Sequence, residues 1–152
     1  MLIKSIKLSR NSAAFGVVMA ALVLVGVLLL AGAAGKRGGA LSGGSEEARA
    51  EFLQRYGWQA ETPALSEESV IIPREFSDVM EQYNDLQLSQ GFDLRDYAGT
   101  ELTVYSYRIE GFDGEEEVIA SLYVSGGRIV GGDVHSTALD GFMVGVTTGK
   151  AA

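Results

Sequence analysis

The chain has 152 residues, no cysteine, a single histidine and a net charge of −8, and all 20 of its acidic residues lie at or after Glu46. Without cysteine there is no disulfide framework, thiolate zinc site, cysteine nucleophile or lipid-modified N-terminal cysteine, so the fold must rest on packing. From Glu46 onward seven basic residues stand against 20 acidic ones, a charge of −13 that repels phosphate backbones and anionic lipid and so disfavours nucleic-acid binding.

Residues 1–12 carry Lys4, Lys7 and Arg10 and read as a cytoplasmic tail. Residues 13–34 are 22 positions without a charge, followed by Lys36 and Arg37. As a helix this run reaches about 33 Å, enough to cross a hydrocarbon core roughly 30 Å thick. The partner implied is therefore the lipid bilayer. Basic residues are retained in the cytoplasm, so the expected placement is a single pass through the cell membrane, N-terminus inside and acidic domain extracytoplasmic. An alternative is a secreted soluble domain cleaved near Ala33, where Ala31-Gly32-Ala33 offers a small-x-small pattern. The apolar stretch is longer than the 7–15 residues usual for removable signals. Residues 35–44, GKRGGALSGG, read as a flexible linker spanning roughly 17 Å as a coil.

The remaining chain predicts one α+β domain over 45–147, two helices packed on an antiparallel sheet of about four to five strands, with 148–152 as a disordered tail. Ser45 caps a first helix over Glu46–Tyr56, with Phe52, Leu53 and Tyr56 facing the core and Gly57 ending it. An extended stretch over Trp58–Glu61 is interrupted by Pro63, and a short strand, Ser69–Ile72, ends at Pro73. Pro73 is expected at the start of a second helix, whose apolar stripe is Phe76, Val79, Met80, Tyr83, Leu86 and Leu88, closed by Gly91. Extended segments follow over Glu101–Glu110, Glu116–Ser125, Arg128–Ser136 and Gly141–Val146.

The Gly126-Gly127 pair predicts a two-residue hairpin turn. That turn sets Tyr123 opposite Val130 and Ile119 opposite Val134, with Leu122 and Val124 beside Gly131 and Ile129. Both faces carry apolar residues, so alternation leaves open which face holds the helices.

The phrases EFLQRYGW at Glu51–Trp58, IIPREF at Ile71–Phe76, YNDLQLSQGFDL at Tyr83–Leu94 and GGDVHSTALDGFM at Gly131–Met143 resemble an uncharacterised bacterial family, domain-of-unknown-function family 4830. The resemblance covers about 46–146. It implies a single small domain behind one N-terminal span. It carries no activity, substrate or catalytic residue.

Asp133 and His135 stand two apart on a predicted strand and share a face, half of a general-base arrangement that Ser121, Ser125, Ser136 or Thr137 would have to complete. No nucleophile-elbow pattern surrounds those hydroxyls, and the plainer reading is a structural histidine. No cofactor or metal is implied. Asp113, Glu115, Glu116 and Glu117 lack the spacing of a calcium loop, and a solvated turn is the simpler account. Gly131-Gly132-Asp133 is no phosphate cradle, since no lysine or helix start follows. Its glycines read as a bulge or as backbone under an aromatic ring from Trp58 or Tyr123. Trp58, Tyr105, Tyr107, Tyr123 and Phe142 read as core more readily than as a ligand groove. The reading adopted is a membrane-anchored binding or interaction module with a protein or peptide partner. The alternative from a different class is a hydrolase-like extracytoplasmic enzyme using Asp133 and His135.

Overall fold

The computed structural model describes residues 41–111 and 117–149. The tail, the span and most of the linker, together with Asp113, Glu115 and Glu116, lie outside the described residues. Two helices and five strands follow in the order α1 (Glu46–Arg55), β1 (Ser66–Ile71), α2 (Asp78–Leu88), β2 (Glu101–Arg108), β3 (Val118–Ser125), β4 (Arg128–Ser136) and β5 (Met143–Gly145). The strands form one antiparallel meander in sequential order. The α+β expectation, two helices on an antiparallel sheet, is met, with five strands.

The sheet is covered on both faces, one helix to each. Phe52 and Leu53 of α1 join Trp58, Tyr107, Ile109, Ala120, Leu122, Val124 and Val134 in one core. Met80 and Tyr83 of α2 join Val70, Leu102, Val104, Tyr123 and Val130 in the other. This explains the unresolved alternation, since a strand apolar on both sides is what a doubly covered sheet requires. Each fully buried side chain such as Leu53 contributes about 1.5–3 kcal/mol relative to exposure.

Helix α1 starts where its cap dictates: the Ser45 side chain accepts from the Ala48 N–H at 3.2 Å, and Gly57 takes φ 83° just past the end. Helix α2 starts later than expected. Pro73 does not open it, because the ladder runs on through Ile72, whose N–H donates to the Thr100 carbonyl at 3.0 Å. Ser77 is the cap, its side chain accepting from the Met80 N–H at 3.3 Å. The buried face is also rotated from the predicted stripe. Val79 and Leu88 are 48 % and 49 % exposed, while Asn84 and Gln87 are buried beside Met80 and Tyr83.

The Gly126-Gly127 turn forms with both glycines at positive φ, but the register beyond it is not the one predicted. Val124 opposes Ile129 as expected; then a β-bulge intervenes, so that Tyr123 faces Gly131, Leu122 faces Gly132 and Ile119 faces His135. The glycines are not covered by an aromatic ring. A Cβ at Gly131 would lie 3.1 Å from Gln87 Oε1 and 3.2 Å from Leu94, and one at Gly132 would lie 2.9 Å from the Ser121 carbonyl.

The folded unit is wider than 45–147 at both ends. Ser42 bridges to Arg128, Ile129 donates its N–H to the Leu41 carbonyl at 2.8 Å, and Gly43 donates to the Gly127 carbonyl at 3.0 Å. The last four residues assigned to the linker thus belong to the domain. At the other end a 3-10 turn covers Val146–Thr148, which places Thr148, assigned to the tail, within the fold, with Gly149 following as its cap. Val146 is fully buried, and its carbonyl accepts from Trp58 Nε1 at 2.8 Å.

Arg49 fixes the N-terminal strap to the core. Its guanidinium is buried, donates to Tyr107 Oη at 2.7 Å, to the Gly43 carbonyl at 2.8 Å and to Glu46 at 3.2 Å, and lies 3.5 Å over the Tyr105 ring. Glu46 in turn accepts from the Ala64 N–H at 3.1 Å. Charge, hydrogen bonding and ring stacking converge on one side chain, so Arg49→Ala should cost about 2–4 kcal/mol, read as a lower urea midpoint. A loss no larger than that of the exposed Arg55→Ala would refute this account of the strap.

Candidate functional site

Asp133 and His135 sit under α2 because of the bulge at Val130 and Gly131. Ile129 points into the α1 core, and simple alternation from there would send Gly131, Asp133 and His135 the same way. The extra residue reverses the phase, which puts Asp133 and His135 on the side of Tyr123 and Val134 on the other.

The structure brings the two residues together. Asp133 is 0 % exposed, and each of its oxygens is occupied: Oδ1 contacts His135 Nδ1 at 2.6 Å, and Oδ2 accepts from the Tyr83 hydroxyl at 2.6 Å. The His135 side chain keeps 16 % exposure. Tyr123 packs beside Tyr83 with ring centroids 6.1 Å apart, and Ser121 lies directly across the ladder from Asp133. One carboxylate, one imidazole and two phenols from α2, β3 and β4 therefore form a single buried cluster.

The electrostatics follow from that burial. Desolvation opposes the charged imidazole, but the hydrogen bond and negative charge of Asp133 outweigh it and raise the His135 pKa. Burial first, then the Asp133 charge, push the Tyr83 phenol well above its ordinary range. The same two causes push Tyr123 strongly upward, so both phenols remain protonated.

A carboxylate that orients an imidazole is one part of a general-base device; a hydroxyl on the far ring nitrogen would be the next. Among the described residues, no hydrogen bond joins His135 to Ser121, Ser125, Ser136 or Thr137. Ser121 is buried, and Ser136 Oγ accepts from the Ala138 N–H at 3.1 Å. No group of three metal-ligating side chains converges among the described residues. Glu117, the described member of the acidic turn, pairs with Arg108.

Residues that sequence reading missed complete the region. Gln87 Oε1 accepts from the Gly132 N–H at 2.9 Å, and Gln90 Nε2 donates to the Gly132 carbonyl at 2.8 Å while its Oε1 accepts from the Thr147 N–H at 3.0 Å. Two side-chain carboxamides thereby stand in for a missing strand beside Gly132. The one signal for them was the placement of polar residues at helical spacing next to Met80 and Tyr83. Of the aromatics, Trp58, Tyr107 and Tyr123 are core, Tyr105 covers Arg49, and Phe142 is 37 % exposed.

Residues 52–134 match the family model described as Domain of unknown function (DUF4830), and the chain belongs to that family. No curated protein and no solved structure matches it.

The cluster makes stability depend on pH with a defined sign. The folded pKa of His135 lies above the unfolded value of about 6.5, so its contribution is complete below that pH and is lost as pH rises through the folded pKa. The difference in urea midpoint between the parent and His135→Gln should therefore shrink from pH 6 to pH 9; a constant difference would refute the coupling. Tyr83→Phe strips a donor from a buried carboxylate and should cost about 1.5–3 kcal/mol in the same assay. A loss under half of that would show Asp133 to be satisfied without Tyr83.

Proposed function

We propose that the chain is a single-pass membrane protein that presents its acidic α+β domain on the extracytoplasmic side, where the domain acts as a binding or interaction module. The observation that carries this reading is the uncharged stretch 13–34 between Lys4, Lys7 and Arg10 on one side and Lys36 and Arg37 on the other. Among the described residues no helix is long and apolar enough to cross a membrane, so the reading rests on 13–34, outside the described residues. The charge of −13 after residue 45 favours a basic protein or peptide as partner. The inward-facing role of Asp133, shared between Tyr83 and His135, supports a scaffold in preference to a reaction centre.

A second reading has one specific observation behind it. The partly exposed His135 is held by Asp133 at 2.6 Å, the arrangement a hydrolase-like enzyme would need for its base. Turnover of ester, peptide or phosphoester model substrates that disappears in His135→Gln, with the fold intact by circular dichroism, would establish that reading in place of the first.

Membrane presentation is tested by fractionation and external protease. The protein should stay with the membrane through alkaline carbonate extraction, and protease added outside intact cells should remove the domain. A protein recovered in the soluble cytosol, or a domain untouched by protease in cells whose surface proteins are digested, would overturn it. A mature N-terminus near Ala34 would replace the anchored form with a secreted one.

A further inference from the structure

We infer that the outer edge of β1 binds an extended basic segment of a partner protein, which adds to the sheet as a further strand and sets two consecutive lysines or arginines against Glu67 and Glu68. This rests on the binding-module reading above and gives its basic partner a place and a mode of attachment. The ladder defines the edge. Ile109 donates its N–H to the Val118 carbonyl of β3 at 2.8 Å, so by alternation Leu102, Val104 and Ser106 of β2 turn their backbone groups to β1. Their opposite numbers Val70, Glu68 and Ser66 face them, which leaves the N–H and C=O groups of Glu67, Ser69 and Ile71 directed away from the sheet. Among the described residues no backbone group pairs with these three. The other edge strand, β5, is only 3 residues long.

Side chains decide what such a strand must carry. Glu67, Ser69 and Ile71 share the face of Tyr105, whose hydroxyl donates to Glu67 at 3.3 Å, while Glu68 shares the opposite face with Val70. The two glutamates therefore flank the edge, and one adjacent pair of basic residues reaches both. Arg49, Arg55, Arg95 and Arg108 are each paired with a glutamate elsewhere, and among the described residues no ion pair involves Glu67, Glu68 or Glu101. Glu101 lies opposite Ile71 and accepts from the Ser69 hydroxyl, so the negative charge along this edge is uncompensated. Ile71 is 44 % exposed and favours an apolar residue three positions from the nearer basic one. The same charges exclude a second copy of the chain, whose own Glu67 and Glu68 would lie on the same short ladder, where like charges repel.

The test is fluorescence anisotropy of a labelled peptide, Thr-Val-Thr-Thr-Lys-Lys-Thr, with the full-length chain in neutral detergent micelles. As an antiparallel strand this peptide sets its valine against Ile71 and its lysines against Glu68 and Glu67. It should bind at low salt, and Glu67→Gln combined with Glu68→Gln should weaken binding about fivefold. N-methylation at its fourth and sixth positions, whose N–H groups would face β1, should weaken binding about 30-fold, whereas N-methylation at the third and fifth should leave it unchanged. Equal binding of the two N-methylated forms would overturn the edge site while leaving a basic partner in place. So would equal binding of a peptide of the same composition with its lysines moved to opposite ends. Failure of every one of these peptides to bind would overturn the basic partner, and the edge site with it. Sedimentation without peptide should show no association through this edge; a dimer lost on Ser69→Pro, which removes an outward N–H, would assign the edge to a second copy and overturn the inference.

Discussion

The extra residue in β4 is the constraint on which the polar interior depends. A strand has two faces, and its alternation cannot change phase without a bulge or a break. Here the phase changes at Val130 and Gly131, so Ile129 and Val134 both reach the α1 core while Asp133 reaches the α2 side. In the unbulged register Asp133 would enter a core of Leu122, Ala120 and Phe52, where an unpaired carboxylate costs several kcal/mol. With the bulge it meets Tyr83 and His135, and both of its oxygens are used. The glycines at 131 and 132 fit the same logic, because the Gln87 carboxamide, Leu94 and the Ser121 carbonyl occupy the space a side chain would take.

β4 is also the strand on which the separate parts of the domain meet. Its inner edge pairs along its length with β3, and its outer edge is divided among three partners. The strap 41–43 pairs at Gly127–Ile129, the carboxamides of Gln87 and Gln90 bond Gly132, and β5 pairs with Asp133–His135. A carboxamide offers the same donor and acceptor as a peptide group, so α2 completes the ladder with side chains where no strand is available. Gly145 permits this, since a Cβ there would lie 2.5 Å from Gln90 Cδ. The N-terminal strap, the second helix and the C-terminal strand are thereby tied to one backbone.

Features governed by local chemistry were legible in the sequence. The Ser45 cap, the Gly57 stop, the Gly126-Gly127 turn and the strands within 101–136 depend on a few adjacent residues, and each formed, whereas the expected extended stretch Trp58–Glu61 makes only an isolated bridge from Ala60 to Ile109. The adjacency of Asp133 and His135 was legible for the same reason, as a strand places i and i+2 on one face. What was not legible depends on partners distant in the chain. Apolarity predicted Val79 and Leu88 inside α2 with Met80 and Tyr83, but the opposing surface offers backbone groups at Gly132, so Gln87 and Asn84 are buried beside Met80 and Tyr83 instead. The burial of Arg49 has no local signal, because it depends on Tyr107 far along the chain and on the Gly43 carbonyl in the strap. Glycine content made residues 41–44 read as coil, whereas small size is what allows Gly43 to lie against Ile129 and Val124.

The direction in which the strap is laid down has a mechanical consequence. Residues 41 to 43 run antiparallel to 129 to 127, so tension on the preceding chain loads the Leu41–Ile129 bond before the Gly43–Gly127 bond and peels the strap open in sequence. The last residue to be stripped is the acceptor of the Arg49 guanidinium, which is anchored on the buried Tyr107 of β2. A pull at the N-terminus is thus conducted to a buried cation and not dissipated at the surface.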